Sequence, residues 1–339
     1  MRAAVYRKHK GLVIEDIPIP EIEPDQVLVK VSHTGFCGSD HSMIQSGGLP
    51  DGIILGHETS GTVAACGSKV TQIAAGTAVI VRPTSCGTCL DCQSDRPYFC
   101  QRNRRTIGIG DLPGAFAEYF VAYADMLIPI PAGVDFQNAA LAEAFAASLH
   151  ALTCVNRKSG SALVVGGGPI GLALVRLLKI MGFEPILLSE PVAAKRKLGL
   201  ELGADQGVDP LADDVNQTVF MTTAGLGCDL VFECSGVPDQ VQVCMDAAAR
   251  GGIVCVVSVM YADASITPMT LNFKEVWLTG SYSNTHAENR QCLAWMAQGK
   301  LDGNPLISDL ISLDQLPDVY RKRIHTGKAI KVMVDMNRL

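Results

Sequence analysis

The sequence predicts a mixed α/β chain in two parts, a β-rich region followed by a doubly wound parallel sheet. Three observations lead there. Residues 1–149 hold short β-type runs cut by glycine, proline and aspartate. From Ser161 onward, apolar strands alternate with helical segments. The length of 339 residues exceeds what one hydrophobic core organises, roughly 100–200 per domain.

In the first region, residues 27–31 and 78–81 are the clearest strand candidates, each β-branched and bounded by turn residues. In the second, residues 162–165, 185–188, 230–233 and 253–257 are short apolar runs that suit a parallel sheet covered on both faces. An amphipathic helix near residues 289–298 and a strand-like run at 329–334 follow. The expected division is therefore 1–149, 150–286 and a return segment, 287–339, that completes the first domain.

Composition narrows the function. Hydrophobic residues make up 48% and charged residues 18%, with mean hydropathy +0.23, enough apolar surface to form packed cores. The net charge of −6 is spread along the chain without a Lys/Arg run, which argues against nucleic acid as a partner. Apolar stretches are broken, as by Arg176, before the ~18 residues a bilayer span needs. The start, Met1-Arg2-Ala3-Ala4-Val5-Tyr6, lacks the layout of a secretory signal, so the expected location is the cytoplasm, where thiols stay reduced. The twelve cysteines are accordingly read first as metal ligands.

Cys86, Cys89 and Cys92, followed by Cys100, stand at spacings of three, three and eight along a loop. Four thiolates suit a tetrahedral Zn²⁺ whose shell is filled by protein, a structural site that pins the loop. An iron–sulfur cluster shares the ligand type, and four reduced thiols near one another are the plainer alternative; zinc is favoured because it is the commoner occupant of such a loop. A second set is open: Cys37, His57 with Glu58, and Glu143. Cys, His and carboxylate leave one coordination position for substrate or water, and an open zinc is a Lewis acid that acidifies a bound alcohol. Singly, each of these residues is as ordinary as a buried cysteine or a surface His-Glu pair.

Leu163-Val164-Val165-Gly166-Gly167-Gly168-Pro169-Ile170-Gly171 sets a Gly-x-Gly-x-x-Gly pattern between an apolar strand and a helical run. That context is what a dinucleotide turn requires: Gly166, Gly168 and Gly171 allow the tight turn, the approach of the pyrophosphate and close helix packing, while Pro169 and Ile170 open the helix toward the phosphates. Glu190, at the end of the next apolar run, stands where an acidic residue accepts from a ribose 2′-hydroxyl and repels a 2′-phosphate. NAD is favoured over NADP on that ground, with Lys195, counted in the cofactor site, and Arg196 as partly offsetting cations.

Together these residues resemble the zinc-containing medium-chain alcohol dehydrogenases, especially the polyol branch of sorbitol, butanediol and threonine dehydrogenases. The resemblance covers nearly the whole chain, and its most specific element is Gly56-His57-Glu58-x-x-Gly61-x-Val63-x-x-x-Gly67-x-x-Val70. It implies a GroES-like catalytic domain joined to a Rossmann domain, two zinc ions, NAD, and a homo-oligomer, tetramer or dimer, formed through edge strands of the coenzyme domain. By resemblance Cys37, His57 and Glu58 lie at the catalytic zinc, Glu143 binds it directly or through water, and Ser39 starts a proton relay. Glu233-Cys234-Ser235-Gly236 resembles the strand end beside the nicotinamide. Two positions depart from the pattern: residue 42 is Ser where polyol members commonly carry a histidine, with His41 adjacent, and Ala144 follows Glu143 where proline is usual.

The implied reaction is hydride transfer between NAD and a secondary alcohol or polyol, with substrate entering a cleft between the two halves. An anionic hydroxy compound is the alternative substrate. A zinc-free quinone reductase would need none of the zinc ligands, and a non-catalytic zinc- and nucleotide-binding scaffold would keep them without turnover. Phe36, Met43, Ile44 and Phe116 are pocket or core candidates; Arg82, Arg104 and Arg105 are anion-clamp or surface candidates.

Overall fold

In a computed structural model, residues 1–338 are described, and they divide into two compact units, Met1–Glu143 with the chain from Thr285 on, and Ala144–Asn284. In chain order the strands before the second unit are β1 (Arg2–Arg7), β2 (Gly11–Asp16), β3 (Gln26–Gly35), β4 (Glu58–Cys66), β5 (Ala78–Val81), β6 (Tyr119–Tyr123) and β7 (Leu127–Pro129). The helices among them are α1 (Gly38–Ser46), α2 (Leu90–Gln93) and α3 (Phe136–Ala140), and α4 (Ala142–Val155) begins at the unit boundary. The second unit adds β8 (Ala162–Val165), α5 (Pro169–Ile180), β9 (Ile186–Ser189), α6 (Ala193–Leu202), β10 (Gln206–Val208), α7 (Val215–Thr222), β11 (Cys228–Glu233), α8 (Gln240–Ala247), β12 (Ala248–Val256), α9 (Pro268–Lys274) and β13 (Trp277–Gly280). The chain then returns through α10 (His286–Ala297), β14 (Ile307–Ile311), α11 (Leu316–Val319) and β15 (Lys331–Asp335).

The second unit is a six-stranded parallel sheet in the order β10-β9-β8-β11-β12-β13. This is the 3-2-1-4-5-6 arrangement of a doubly wound fold, whose direction reverses between β8 and β11, the place where such sheets hold ligands. Its central strands are apolar because helices cover both faces; Leu163, Leu187 and Val231 are fully buried, each contributing about 1.5–3 kcal/mol relative to exposure. β8 starts and ends where the sequence pattern predicts. β12 begins at Ala248, earlier than its apolar run, because Ala248 pairs with Cys228 across a bulge before Leu230 meets Ile253.

The first unit carries a sheet in the order β14-β15-β3-β4-β5-β7, with β6 pairing β3. Both flanks of the second unit in sequence therefore build one sheet. β3 runs to Gly35, past its apolar run, because His33, Thr34 and Gly35 pair with β4 on one side and β15 on the other. Val27, Val29 and Val31 alternate inward against Val63, Val79 and Phe120. This register sets Gly35 opposite Glu58 and Met333 opposite Gly35, which brings the end of β3, the start of β4 and the middle of β15 to one place.

Candidate active site

Cys37 caps α1 in extended conformation, and its backbone N–H donates to Asp40 Oδ2 at 3.0 Å, satisfying one of the helix's orphan donors. Asp40 is fully buried. Its other oxygen lies 3.4 Å from His57 Nδ1 and accepts from the Gly56 N–H at 3.4 Å, so one carboxylate ties the Cys37 turn to the His57 turn. The opposite ring nitrogen, Nε2, lies 3.5 Å from Ser39 Oγ. Burial disfavours a protonated His57 ring, yet Asp40 and Cys37 beside it outweigh that and raise it well above its usual range. A divalent cation bound there takes the place of that proton. A carboxylate on one ring nitrogen with the other facing inward is the orientation commonly found behind a metal-ligating histidine.

Glu58, expected at the metal, opens β4, and both its oxygens accept from the Lys331 ammonium, at 2.7 and 2.6 Å. The physical reason is burial: Glu58 and Lys331 are each 1% exposed, and a charge taken out of water needs a counter-charge. Lys331 also donates to Phe36 O at 3.2 Å. Burial opposes the lysine's charge, while Glu58, Cys37 and Glu143 together more than compensate and raise its pKa. Glu143, half-buried in the first turn of α4, thus acts electrostatically on the same lysine as Cys37 and Glu58.

The pocket candidates resolve differently. Phe36 and Phe116 stack with centroids 5.5 Å apart in the buried core, and Met43 and Ile44 pack against that core. Arg82 is buried; burial and Arg104 lower it to about 10 against Glu288 and Glu143. The Arg105 guanidinium lies 3.5 Å above the Tyr123 ring. His41 turns away toward Tyr320, with Nδ1 3.3 Å from its hydroxyl.

The ligand atoms of Cys86, Cys89, Cys92 and Cys100 all lie within 4.8 Å of one another, and sulfur pairs stand 3.8 Å (Cys86–Cys92) and 3.4 Å (Cys89–Cys92) apart. Zn–S bonds of about 2.3 Å in tetrahedral array put sulfurs about 3.8 Å apart, so this donor set fits zinc. Hydrogen bonds from the Thr88 backbone and hydroxyl and from the Cys89 N–H pull Cys86 down to about 5, while the neighbouring sulfurs and burial push Cys89 up to about 11, so without a metal the four thiols share protons unequally.

At the glycine turn, a Cβ on Gly171 would lie 1.9 Å from Gly166 O, and one on Gly166, at φ +103°, would lie 2.7 Å from Ser235 N. Gly168 has no atom within 4 Å of its Cβ position, leaving open space at the N-cap of α5 where a phosphate would approach. Pro169 takes the first helical position, where its missing N–H costs nothing. Glu190 accepts from the Gly167 N–H at 2.6 Å and the Val192 N–H at 2.9 Å, which fixes its carboxylate against the turn. Arg196 is engaged by Asp209 and by the Glu190 and Pro191 carbonyls, whereas Lys195 stands half-buried in the first turn of α6. Across the switch point, Glu233 is fully buried and accepts from the Ser235 and Gly236 N–H groups and from the Ser235 and Ser258 hydroxyls.

Residues 23–132 match the family described as alcohol dehydrogenase GroES-like domain, and residues 169–298 match zinc-binding dehydrogenase. The chain is 31% identical to 2-dehydro-3-deoxy-L-galactonate 5-dehydrogenase of Pseudoalteromonas atlantica over 99% of both chains. The chain belongs to the zinc-containing medium-chain alcohol dehydrogenases. It is also 29% identical to sorbitol dehydrogenase of Bacillus subtilis, covering 100% of this chain and 98% of that one. A solved zinc-binding dehydrogenase from Sinorhizobium meliloti, bound to NADP, superposes with TM-score 0.91 at 34% identity over 98% of each chain.

Two residues of this dehydrogenase escaped the sequence reading. Asp40 had a local signal, an acid at the third helical position after Cys37. Lys331 had none, since its partner lies 273 positions away. The cysteine cluster and the glycine cradle of the dehydrogenase fit a structural zinc and a dinucleotide, while the ligand atoms of Cys37, His57, Glu58 and Glu143 are not gathered into one such cluster among the described residues.

Proposed function

We propose that this enzyme oxidises a secondary alcohol or polyol with NAD, and reduces the ketone or aldehyde in reverse. The observation that carries this reading is the convergence of Cys37, Ser39 and His57 around buried Asp40. Cys37, His57 and Glu58 would lie at the catalytic zinc, with Glu143 binding it directly or through water; Cys86, Cys89, Cys92 and Cys100 would hold the structural one. When bound, the zinc supplies Lewis acidity to the alcohol oxygen and NAD supplies the hydride-accepting ring. Asp40 orients the His57 ring so that Nε2 faces inward, and Ser39 Oγ would accept a hydrogen bond from the substrate hydroxyl and pass its own proton onward as that proton arrives.

Gly166, Gly168, Pro169, Ile170 and Gly171 would receive the pyrophosphate, and Glu190 and Lys195 the adenosine ribose. The fixed Glu190 carboxylate supports NAD over NADP, because a 2′-phosphate would meet a negative charge. A second reading, an anionic hydroxy compound, is supported by buried Arg82 within electrostatic reach of Glu143. Among the described residues no helix is long and apolar enough to cross a membrane, and all twelve cysteines are free, in keeping with a reducing compartment such as the cytoplasm. The free edge of β13, with Trp277 73% exposed and Leu278 beside it, supports a homo-oligomer joined through this strand.

A screen of NAD and NADP reduction over neutral diols, sugar alcohols and aldonates tests the reading. Turnover that a chelator removes, and that Cys37→Ala abolishes while NADH binding persists, is the expected result. Activity indifferent to Cys37→Ala would sink it.

A further inference from the structure

We propose that the buried carboxylate of Glu233 biases the bound coenzyme toward its oxidised, cationic form, NAD, over the reduced, neutral form, NADH; this rests on the coenzyme site read above. The place follows from the order of the sheet. With the pyrophosphate at the N-terminus of α5 and the adenosine ribose at Glu190 beyond β9, the other half of the dinucleotide runs the opposite way from the switch point, over the ends of β11 and β12. Glu233 is the last residue of β11, and its partner Ser258 stands just past the end of β12.

This carboxylate is buried without a counter-charge. Oε1 accepts from the Ser235 N–H at 2.8 Å, the Gly236 N–H at 3.1 Å and the Ser235 hydroxyl, and Oε2 accepts from the Ser258 hydroxyl, all neutral donors. Ser235 Oγ in turn accepts from the Val237 N–H at 3.1 Å, so its own hydrogen is committed to Glu233. By contrast Glu58 is paired with Lys331, and Asp229 with Arg157. The charge is felt nearby: burial pushes the Cys234 and Cys244 thiols up, and Glu233 adds to the effect on both.

Holding a charge on neutral dipoles alone is costly, and the clamp does not require it. A glutamine of the same length accepts from the two N–H groups with its carbonyl and donates to Ser258 with its amide. What glutamine lacks is the charge. The two coenzyme forms differ by one positive charge on the nicotinamide ring, so a fixed negative charge on this side of the crevice discriminates between them. At an effective dielectric of about 20, one such charge is worth roughly 3- to 20-fold in a binding constant. Holding NAD more tightly makes the bound couple a stronger reductant, by about 30 mV for each tenfold.

The test reads affinity and not turnover. NADH binding to the zinc holoenzyme is followed by coenzyme fluorescence, and NAD binding by displacement of NADH. Glu233→Gln should weaken NAD roughly 3- to 20-fold more than NADH. Glu233→Asp, which shortens the clamp and keeps the charge, should hold the wild-type ratio of the two affinities. An unchanged ratio in Glu233→Gln overturns the proposal, as does an equal shift in Glu233→Asp, which would make the shape of the clamp the cause. If Glu233→Gln does not fold, wild-type protein decides through benzamide adenine dinucleotide, a neutral analogue with the shape of NAD: weaker binding than NAD supports the proposal, and equal or tighter binding overturns it. Wild-type holoenzyme that binds neither NAD nor NADH would remove the coenzyme-site reading itself, and this proposal with it.

Discussion

Asp40 touches the backbone of one candidate ligand with one oxygen and faces the ring of another with the second, so a single atom change loosens both. Asp40→Asn should weaken binding of the catalytic metal roughly 10- to 100-fold, the usual effect of losing the partner behind a ligating histidine. Competition with a chromogenic chelator measures it, and the cysteine cluster, which does not involve Asp40, serves as the control in the same protein. Metal retention equal to wild type would count against the role given to Asp40. A second residue-scale expectation concerns His286 at the start of α10, pushed down to about 4 by burial and by the charges of Arg82 and Arg290. In the unfolded chain the ring titrates near its ordinary value of 6.5. Between these values the unfolded chain holds a proton that the folded chain does not. Stability present above pH 6.5 is therefore lost as pH falls toward 4, and the loss levels off below that. His286→Gln should flatten this part of the profile in denaturant titrations; an unaltered slope would show that other groups set it. The site residues that sequence made visible were those with a local pattern, the cysteine ladder, the turn and Gly56-His57-Glu58. Lys331 was invisible because a counter-charge brought 273 positions across a sheet leaves no trace in spacing.

At the scale of elements, the glycine turn between β8 and α5 separates two jobs that one pattern combines. Gly171 is wanted by the fold, since any Cβ there collides with Gly166 O, whereas Gly168 faces open space, where the proposed coenzyme phosphate would approach. Gly171→Ala should cost about 1–3 kcal/mol of stability through overpacking and lower the melting temperature. Gly168→Ala, at φ −74°, should leave the melting temperature unchanged and weaken NADH binding, read by coenzyme fluorescence. Equal melting temperatures for both variants would deny the distinction. The central strands of the parallel sheet were legible because burial on both faces writes an apolar run into the sequence. The ends of β3 and the start of β12 were not, because His33, Thr34 and Ala248 are strand residues only by virtue of the neighbours they pair with.

Across the whole molecule, the unit from Ala144 to Asn284 is inserted into a unit that the chain leaves and re-enters. The inserted sheet ends in β13, whose exposed Trp277 and Leu278 line an unpaired edge. On the β13 contact proposed above, Trp277→Glu with Leu278→Lys should reduce the sedimentation coefficient toward that of a single chain; an unchanged value would count against that contact. The re-entrant unit has a consequence in time as well as in space. Its sheet is opened by β3 and β4 and closed by β14 and β15, and Glu58 is polymerised 273 residues before the lysine that neutralises it. At a synthesis rate of roughly 5–20 residues per second, the carboxylate waits on the order of 15 to 55 seconds for its partner. A nascent chain halted on the ribosome before Lys331 has already made Cys37, His57 and all four cysteines of the cluster, yet cannot bury Glu58 at tolerable cost. On the metal site proposed above, the buried surroundings of Glu58 are therefore complete only once β15 has been made.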